Sequence, residues 1–374
     1  MNPPPELTWV EVDLAAIRNN VRELMRIAGR PLMAVVKANG YGHGAVAVAQ
    51  AALQAGASWV GVARCSEGLE LRRAGITAPI LVLGATPSAE AEAAISSQLS
   101  LALYDRGLGE AYARQAAALG RRVSVHIKVD TGMGRLGILP QETASFGKWA
   151  LEVPELFIEG VFTHFARADE SDPGPTLAQI ARFREALEAL QASGVQPRWT
   201  HAANSAAMLR IPEARFDLCR AGIALYGLSP SREVPLPSSF RPALAWKACL
   251  ASSKDLPAGW GVSYGGEYVT AGIETIGAIP VGYADGWRRS APNQILMDGQ
   301  RLEVIGRVCM DYCLVRLPAG GAIGDEVVLI GRQGDERILA EDVALRWGTI
   351  NYEVVTGIAA RVPRVYLGAD SLGS

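Results

Sequence analysis

Short apolar runs alternate with longer segments of helical periodicity over the first 240 residues. Eight runs are rich in β-branched residues and have the length of buried strands; they cover residues 33–36, 59–63, 80–83, 100–104, 123–129, 157–163, 198–201 and 216–220. The helical pattern falls between them, for example over 46–55, 89–96, 109–119 and 177–192, and an opening helix over 14–28 has Asp13 at its N-cap position. Eight strand–helix repeats predict a (β/α)8 barrel of the TIM type, because eight parallel strands close a ring.

The pattern changes from about residue 240. Short strand-like runs are now separated by turn signals, such as Asp298–Gly299 and the segment 317–321. The prolines at 230, 235, 237 and 242 indicate a joint between the two parts. We therefore predict an α/β chain with a barrel over 1–240 and an all-β C-terminal domain over 241–374. The lack of a GxGxxG motif after the first strand argues against a dinucleotide-binding sheet.

Composition and charge exclude several classes of protein. The chain has 374 residues, with 36 Lys and Arg against 38 Asp and Glu, for a net charge of −2. This balance provides no basic field for nucleic acid or an anionic membrane surface. No stretch approaches the ~18–20 apolar residues of a membrane helix, and residues 1–8 lack the features of a signal peptide. We expect a cytoplasmic protein with no nucleic-acid or membrane partner.

Cysteine and histidine usage does not favour metal or disulfide chemistry. The five cysteines form no CxxC pair, and their odd number argues against a disulfide framework. The four histidines show no HExxH-type spacing. No metal site is predicted.

Polar residues stand where several predicted barrel strands end, and barrel enzymes place their chemistry at that face. Lys37 ends the first strand, Lys128 and Arg135 follow the fifth, and His164 ends the sixth. A lysine there would have a depressed pKa or be used covalently, although a lysine snorkelling at the rim fits the position equally well. His164 could equally be a structural histidine.

The loops after the seventh and eighth strands are small and rich in hydroxyl and amide groups. They contain Asn204 and Ser205 after the seventh strand, and Arg220, Gly222 and Ile223 after the eighth. Barrels commonly bind phosphate at these two loops, through hydroxyls and backbone N–H groups. A phosphorylated ligand facing a rim lysine suggests pyridoxal phosphate, and spacing alone leaves an ordinary phosphosugar open.

The whole chain resembles alanine racemase, a pyridoxal-phosphate enzyme with an N-terminal barrel and a C-terminal β domain. The resemblance rests on ordered motifs: AVVKANGYGHG at 34–44, KVDTGMGR at 128–135, THF at 163–165, NS at 204–205, SYG at 263–265, PVGYADG at 280–286, CMD at 309–311 and INYE at 350–353. It implies a cytoplasmic homodimer with shared active sites, which takes alanine as substrate and makes D-alanine for peptidoglycan and the cell wall.

The resemblance also implies roles for individual residues. Lys37 would hold the cofactor as a Schiff base and serve the D face of the substrate, and Tyr264 of the partner subunit would serve the L face. Cofactor contacts are implied for Tyr41, Asn204, Ser205, Arg220, Gly222, Ile223 and Tyr352. Arg135 would bind the substrate carboxylate, supported by a Lys128 that is carbamylated in many members. Met310 and Asp311 would line the pocket, and Tyr283 with Tyr352 would narrow its entrance.

The chemistry explains why such residues are needed. Racemisation requires a proton carrier on each face of the planar carbon, and pyridoxal phosphate acts as the electron sink. A tyrosine whose pKa is near ~10 needs help to act as a base. We hypothesise that His164 hydrogen-bonds Tyr264 and links it to Arg220. Because Arg220 would keep its protons at the pyridine nitrogen, we expect it to limit side reactions such as transamination.

Two other functions are consistent with parts of the chain. An amino-acid decarboxylase with the same two domains would use a catalytic cysteine, and Cys309 stands near the relevant region. A non-enzymatic pyridoxal-phosphate carrier would need only the barrel, so Tyr264 would have no purpose there. Tolerance for serine cannot be predicted from these residues.

Overall fold

The computed structural model describes residues 6–289, 291–318 and 321–368. The chain forms two compact units, one from Ala16 to Arg241 and one that joins the residues through Ala15 to those from Pro242 onward. In chain order the first elements are β1 (Thr8–Asp13), α1 (Leu14–Ala28), β2 (Leu32–Val35), α2 (Lys37–Tyr41), α3 (Ala45–Gln54), β3 (Trp59–Val62), α4 (Cys65–Arg73), β4 (Ile80–Val82), α5 (Ala91–Ser96), β5 (Ser100–Leu103), α6 (Arg106–Ala118), β6 (Val123–Lys128), α7 (Thr143–Glu152), β7 (Leu156–Phe162), α8 (Gly174–Ala192), β8 (Trp199–His201), α9 (Ser205–Arg210) and β9 (Cys219–Ala221).

The remaining elements belong to the second unit. They are β10 (Leu244–Cys249), β11 (Ser252–Leu256), β12 (Gly261–Val262), β13 (Tyr268–Val269), β14 (Glu274–Ile279), β15 (Gln294–Met297), β16 (Gln300–Ile305), β17 (Cys313–Arg316), β18 (Glu326–Gln333), β19 (Glu336–Ile338), α10 (Ala340–Trp347), α11 (Asn351–Thr356) and β20 (Arg364–Leu367).

The first unit is the predicted (β/α)8 barrel. Its eight strands pair in parallel in the order β8-β7-β6-β5-β4-β3-β2-β9, and each overlaps one of the eight predicted runs. No regular ladder joins β8 to β9. Instead, backbone hydrogen bonds from Asp217 N to Thr200 O and from Arg220 N to Ala203 O, both 3.0 Å, close the ring. The prediction of the barrel is confirmed.

Four of the barrel strands are buried along their whole length because both of their faces are covered. Every residue of β2, β3, β4 and β5 is buried, as expected for strands between a packed barrel interior and a surrounding layer of helices. The carboxyl ends of these strands lead into the loops that carry the candidate residues. The fold therefore gathers those residues at one end of the barrel.

The second unit is built on a β sheet, as predicted. Its strands follow the order β11-β14-β17-β16-β15-β18-β10-β1-β20, with β19 paired to β18 and a separate hairpin of β12 and β13. Two short helices, α10 and α11, also belong to it. Within its sheet, Val10, Val12 and Trp246 are fully buried.

The amino-terminal boundary of the predicted barrel domain, residue 1, needs correction. Strand β1 pairs antiparallel with β10 and parallel with β20, so residues through Ala15 belong to the sheet unit. The segment TWVEVD alternates apolar and polar residues, which is typical of a strand with one buried face, but the barrel prediction gave it no role. Residues 1–5, 319–320 and 369–374 of the predicted segments lie outside the described residues.

Three further observations concern expected absences. None of the helices in the described ranges is both long and apolar enough to cross a membrane. All five cysteines are free thiols. Within the same ranges, no three His, Cys, Asp or Glu side chains lie together as metal ligands would.

Candidate active site

A left-handed turn follows the first barrel strand and carries Lys37. Ala38, Asn39, Gly40 and Tyr41 all have φ between 51° and 61°, a conformation that costs L-residues roughly 1–2 kcal/mol each. The turn brings the Lys37 Nζ to 6.0 Å from the centroid of the Tyr41 ring. Strain of this kind persists only where surrounding contacts enforce it.

Two side chains enforce this turn. Glu67 Oε1 accepts a hydrogen bond from the N–H of Ala38 at 2.6 Å, and Glu67 Oε2 accepts from the N–H groups of Ala63 and Arg64 at 2.8 and 3.0 Å. On the other side, Asn39 Oδ1 accepts from the N–H of Ala45 at 3.0 Å. The position of Lys37 is therefore set by backbone contacts on both sides of the turn.

Hydroxyl and N–H groups converge beside this turn. Ser205 Oγ accepts from the N–H groups of Gly222 and Ala224 at 3.1 and 3.3 Å. The hydroxyl of Tyr41 lies so close to Gly222 that a Cβ there would be 2.5 Å from it. Burial raises the pKa of Tyr41 to about 12, so its hydroxyl keeps its proton and can donate. These groups suit a phosphate, because a fully ionised phosphate accepts hydrogen bonds and donates none.

Asn204 has a structural use at the same place. Its Oδ1 accepts from the N–H of Ala207 at 3.0 Å and caps the first turn of α9. The side chain of Asn204 thus holds Ser205 and the start of α9 in position.

Several cationic side chains lie together at the carboxyl end of the barrel strands. Lys128 is 5% exposed, and burial together with the charges of Arg135 and Arg220 lowers its pKa to about 8. Burial, followed by the charge of Arg135, also lowers the pKa of Lys37. Because these cations depress one another's pKa values, a bound anion would be stabilised among them.

Asp130 shapes the loop that carries Arg135. Its Oδ1 accepts from the N–H groups of Gly132, Met133 and Gly134 at 2.9, 2.8 and 3.1 Å, and its Oδ2 accepts from the N–H of Arg135 at 3.2 Å. The glycines of the GMG motif permit this tight wrapping, since Gly132 and Gly134 both have positive φ. The carboxylate and loop act as one rigid support.

Arg220 is buried, and both of its terminal nitrogens make contacts. One of its terminal nitrogens, Nη2, donates to the carbonyl oxygens of Thr163 and Ala202, both at 2.8 Å, and lies 3.2 Å from His164 Nδ1. Burial and the charge of Arg220 hold the pKa of His164 well below its ordinary value. His164 is therefore neutral, accepts at Nδ1 and has its proton at Nε2. The predicted link between His164 and Arg220 is present in the structure, and the link to Tyr264 stays a prediction.

The second group of predicted residues lies in the sheet unit. Tyr264 follows β12 and is 62% exposed, and Tyr283 and Met310 are 42% and 53% exposed. The guanidinium of Arg289 lies 5.7 Å from the ring centroid of Tyr264 and 5.8 Å from that of Tyr283. The two tyrosines thus share one cation and one face of this unit.

Backbone contacts tie Tyr283 to the CMD motif. The N–H of Tyr283 donates to Cys309 O and the N–H of Ala284 to Met310 O, both at 3.0 Å. Asp311 forms an ion pair with Arg361 at 2.8 Å. A Cβ on the neighbouring Gly282 would lie 2.2 Å from Met310 O, so only glycine permits this approach. Tyr352, half-buried, belongs to α11 of the same unit.

Comparison with known proteins covers the same two parts of the chain. The family model described as "Alanine racemase, N-terminal domain" matches residues 12–230, and that of "Alanine racemase, C-terminal domain" matches residues 243–366. The chain is 51% identical over 366 residues to an alanine racemase of Symbiobacterium thermophilum, covering 96% of this chain and 97% of that one. The chain belongs to the alanine racemase family. An alanine racemase of Geobacillus stearothermophilus is 46% identical, with 96% of this chain and 93% of that one covered.

Solved alanine racemase structures share the complete fold. A crystal structure from a D-cycloserine-producing Streptomyces lavendulae superposes with a TM-score of 0.94 at 41% identity, covering 98% of each chain. The Bacillus anthracis enzyme with bound L-Ala-P gives a TM-score of 0.93 at 43% identity, covering 98% of this chain and 96% of that one. The match to both domains argues against a single-barrel carrier, and the identities of 41–51% to alanine racemases favour that activity over a decarboxylase.

Alanine racemases are isomerases that interconvert L- and D-alanine, use pyridoxal phosphate and supply D-alanine for peptidoglycan. The barrel residues described above fit this cofactor. The hydroxyl and N–H cradle matches its phosphate, the excess of positive charge matches its anionic groups, and a lysine of lowered pKa matches its aldehyde.

Several residues of this end of the barrel escaped the sequence prediction. Glu67 lies in a helix and belongs to no recognisable motif. His126 is a polar residue within a predicted strand and gives no signal of its own. The available signal for His126 is its spacing: it lies two residues before Lys128 on β6, so both belong to the same face of the strand. His201 ends the seventh strand and could have been found by the rule that located His164.

Proposed function

We propose that the chain racemises alanine by a two-base mechanism in which Lys37 and Tyr264 move the protons. The observation that carries this proposal is the Lys37 environment: a strained, doubly anchored turn presents an amine of lowered pKa beside a cradle of hydroxyl and N–H groups. A lowered pKa raises the neutral fraction of the amine at any given pH, and nucleophilic and general-base roles both require the neutral form.

The cofactor-binding proposal assigns one task to each residue. Lys37 would hold the cofactor through Nζ. Tyr41, Ser205, Gly222, Ile223 and Tyr352 would hold its phosphate, and Arg220 would face its ring nitrogen. When bound, pyridoxal phosphate withdraws electrons from Cα of the amino acid and so acidifies its hydrogen.

The two bases then act on opposite faces of the substrate. Lys37 Nζ exchanges a proton with the D face of Cα, and Tyr264 Oη exchanges a proton with the L face. Arg135 holds the substrate carboxylate, while Met310 and Asp311 line the pocket and Tyr283 with Tyr352 narrows the entrance. In this arrangement the neutral His164 donates its Nε2–H to Tyr264 Oη, which stabilises the phenolate form that Tyr264 needs as a base.

Lys128 is proposed to bear a carbamate. Its pKa of about 8 leaves a substantial neutral fraction at physiological pH, and a neutral amine adds to CO2 with formation of an N–C bond and release of one proton. The product is an anion, which would fix the Arg135 guanidinium through charge-assisted hydrogen bonds. Native intact mass in bicarbonate should exceed the sequence mass by one CO2 for the unmodified protein and by none for Lys128→Ala; no added CO2 in the unmodified protein would argue for an unmodified lysine.

We also propose that the chain forms a homodimer with shared active sites and acts in the cytoplasm. Tyr264, Tyr283 and Met310 are exposed in the single chain, as expected of residues that complete a site in a second copy. We therefore place Tyr264 of one copy opposite Lys37 of the other.

Chiral chromatography tests the activity. L-alanine incubated with the protein and pyridoxal phosphate should converge to equal amounts of both enantiomers, and Lys37→Ala should abolish the conversion. Tyr264→Phe should also be inactive with either enantiomer. Persistence of pure L-alanine with the unmodified protein would refute the proposed function.

Mixing inactive variants tests the shared site. If each site combines Lys37 of one copy with Tyr264 of another, a mixed dimer of Lys37→Ala and Tyr264→Phe has one site with both residues intact. Exchange of subunits should then restore activity to up to roughly one quarter of the unmodified level, since half of the dimers are mixed and each has one working site. No recovery, in a mixture shown by native mass spectrometry to have exchanged, would place both residues in one copy.

A further inference from the structure

A line of buried polar side chains runs inside the barrel from Arg220 to a carboxylate. Arg220 Nη1 lies 2.9 Å from His201 Nδ1, and His201 Nε2 lies 2.9 Å from His126 Nδ1. His126 Nε2 lies 3.6 Å from Glu159 Oε2, which is an electrostatic contact longer than a hydrogen bond, and it has no hydrogen-bond partner among the described residues. Both imidazoles are fully buried. None of the roles assigned above uses His126, His201 or Glu159.

The donor and acceptor roles along this line follow from Arg220. A guanidinium can only donate, so His201 must accept at Nδ1 and have its proton at Nε2. That proton points at His126 Nδ1, which must therefore accept. The proton of His126 is then at Nε2, on the side that faces Glu159. The line therefore has a single polarity, from a cation at one end to an anion at the other.

The surroundings keep both histidines neutral. Burial lowers the pKa of His126 and His201, and the charge of Arg220 adds to the effect. The ring of Phe162 stacks on His201 at 4.9 Å with an interplanar angle of 4°, and Trp59 packs edge-on against His126 at 5.3 Å. The charged groups that face the pair are Arg220 on β9 and Glu159 on β7, and Arg198 acts on Glu159.

The barrel is locally irregular where it accommodates this line. A Cβ at Gly160 would lie 2.3 Å from His126 Nδ1, so the imidazole occupies the space that any other residue would fill. The pairing of β6 and β7 also shifts register between Val125 and His126, as at a β-bulge. Ser100 Oγ donates to Glu159 Oε2 at 2.8 Å and orients the carboxylate.

We propose that Glu159 is a positioning residue for Arg220, acting through His126 and His201 by stabilising the Nε2–H tautomer that Arg220 requires of each. Glu159 lies toward the amino end of the barrel strands, and the two imidazoles separate it from Arg220. The inference rests on the proposed function only in taking Arg220 as the residue that faces the cofactor ring.

Loss of the carboxylate would propagate along the line. Without an acceptor at Glu159, His126 is free to adopt the tautomer with its proton at Nδ1, facing the proton on His201 Nε2. His201 would then have to move its own proton to Nδ1, where it meets a donor on Arg220. Arg220 would keep its Nη2 contacts with Thr163 O, Ala202 O and His164 Nδ1 but lose the Nη1 contact with His201.

The decisive measurement is the tautomeric state of the histidines in the holoenzyme. The chain has four histidines, so selective ¹⁵N-histidine labelling gives few ring-nitrogen signals. We expect His126 and His201 to be Nε2–H tautomers in the unmodified enzyme and in Glu159→Gln, whose amide oxygen still accepts. In Glu159→Leu a second tautomer should appear for both. If Glu159→Leu does not fold, Ser100→Ala, which releases the carboxylate to rotate away, should populate the same second tautomer.

Kinetics and cofactor absorbance test whether the effect reaches Arg220. Glu159→Leu should shift the absorption band of the bound cofactor, narrow the pH profile of kcat and lower kcat by up to roughly 100-fold with little change in KM, as expected for a misplaced catalytic group. Glu159→Gln should restore most of kcat. Glu155→Leu, which removes a carboxylate just before the same strand, is the matched control and should leave all three unchanged.

The outcomes separate the two proposals. Unchanged tautomers in the folded Glu159→Leu or Ser100→Ala variant would overturn the inference whatever the activity. Altered tautomers with an unaltered cofactor spectrum and kcat would overturn the link to Arg220. The proposed function fails by a different result, namely racemisation that survives Lys37→Ala.

Discussion

At the scale of single residues, Gly222 lies where the proposed phosphate site has no space for a side chain. Its N–H donates to Ser205 Oγ at 3.1 Å, and its Cα lies against the Tyr41 hydroxyl. Gly222→Ala should push that hydroxyl away and weaken pyridoxal phosphate binding by roughly 10- to 100-fold, the worth of one hydrogen bond to a charged group. Cofactor titration followed by absorbance measures the change.

A double variant and a control make this prediction specific. Because the clash and the lost bond involve the same hydroxyl, Gly222→Ala combined with Tyr41→Phe should bind the cofactor about as well as Gly222→Ala alone. Gly272→Ala has open space around its Cβ and should bind like the unmodified protein. Additive losses in the double variant would contradict the cradle.

The buried histidines should make the barrel sensitive to acid. His126, His164 and His201 have pKa values below their ordinary 6.5, so the unfolded chain takes up protons that the folded chain does not as the pH falls below ~6.5. Their contribution to stability is complete above that pH and declines below it, by up to ~1.4 kcal/mol per pH unit for each histidine. Urea midpoints at pH 8, 7, 6 and 5 should fall accordingly, and a constant midpoint would show that the histidines ionise freely in the fold.

At the scale of elements, the left-handed turn after β2 depends on Glu67 of α4. Glu67→Gln retains an oxygen for one N–H group but loses the negative charge and the second acceptor oxygen. We expect a lower pKa of Lys37, because the nearest carboxylate that raises it is removed, and a kcat reduced by about tenfold through disorder of the turn. The pH dependence of cofactor binding to Lys37 reports the first effect.

The control for this variant is Glu70, which lies three residues after Glu67 in the same helix. Glu70 is exposed and makes no side-chain contact that the structure records, so Glu70→Gln should leave both the pH dependence and kcat unchanged. Equal behaviour of the two variants would mean that Glu67 supports only the first turn of α4 and not the left-handed turn after β2.

Strands and turns differed in how far the sequence could predict them. The eight barrel strands were predictable because parallel strands buried on both faces consist of unbroken apolar runs, as in LMAV and WVGV. The left-handed turn was not, because Ala38 and Tyr41 give no signal for positive φ, although Asn39 and Gly40 tolerate it. Hydrogen bonds from backbone N–H groups to the side chains of Glu67 and Asn39 hold this turn, and no local pattern reveals them. Lys37, His164 and Arg220 were found because they end strands. His126 and Glu159 were missed because they lie within strands, where polar residues are ordinarily solvated or structural.

At the scale of the whole molecule, the N-terminal strand is an internal part of the C-terminal sheet. Strand β1 lies between β10 and β20, so a fragment that begins at Pro242 lacks that strand and exposes two unpaired edges. We expect the isolated fragment 242–368 to aggregate. Fusing residues 6–15 to it through a flexible linker should give a folded monomer or dimer, as judged by circular dichroism and size-exclusion chromatography.

A strand-pairing control decides whether β1 itself is responsible. Val10 and Val12 are fully buried, so a fusion with both changed to Asp should aggregate like the bare fragment, whereas Glu11→Gln should not. A bare fragment that folds on its own would show that β1 is dispensable to the sheet.

The pairing of β1 with β20 also has a consequence in time. Residue 13 leaves the ribosome long before residue 364, and at about 5–20 residues per second the intervening chain takes roughly 20–70 s to synthesise. During the first part of that interval the barrel residues are synthesised while β1 has no partner strand, and β10 becomes available before β20. The nascent chain must therefore hold an apolar strand until residue 249 has been synthesised, which makes residues 8–13 a natural site for a chaperone to bind.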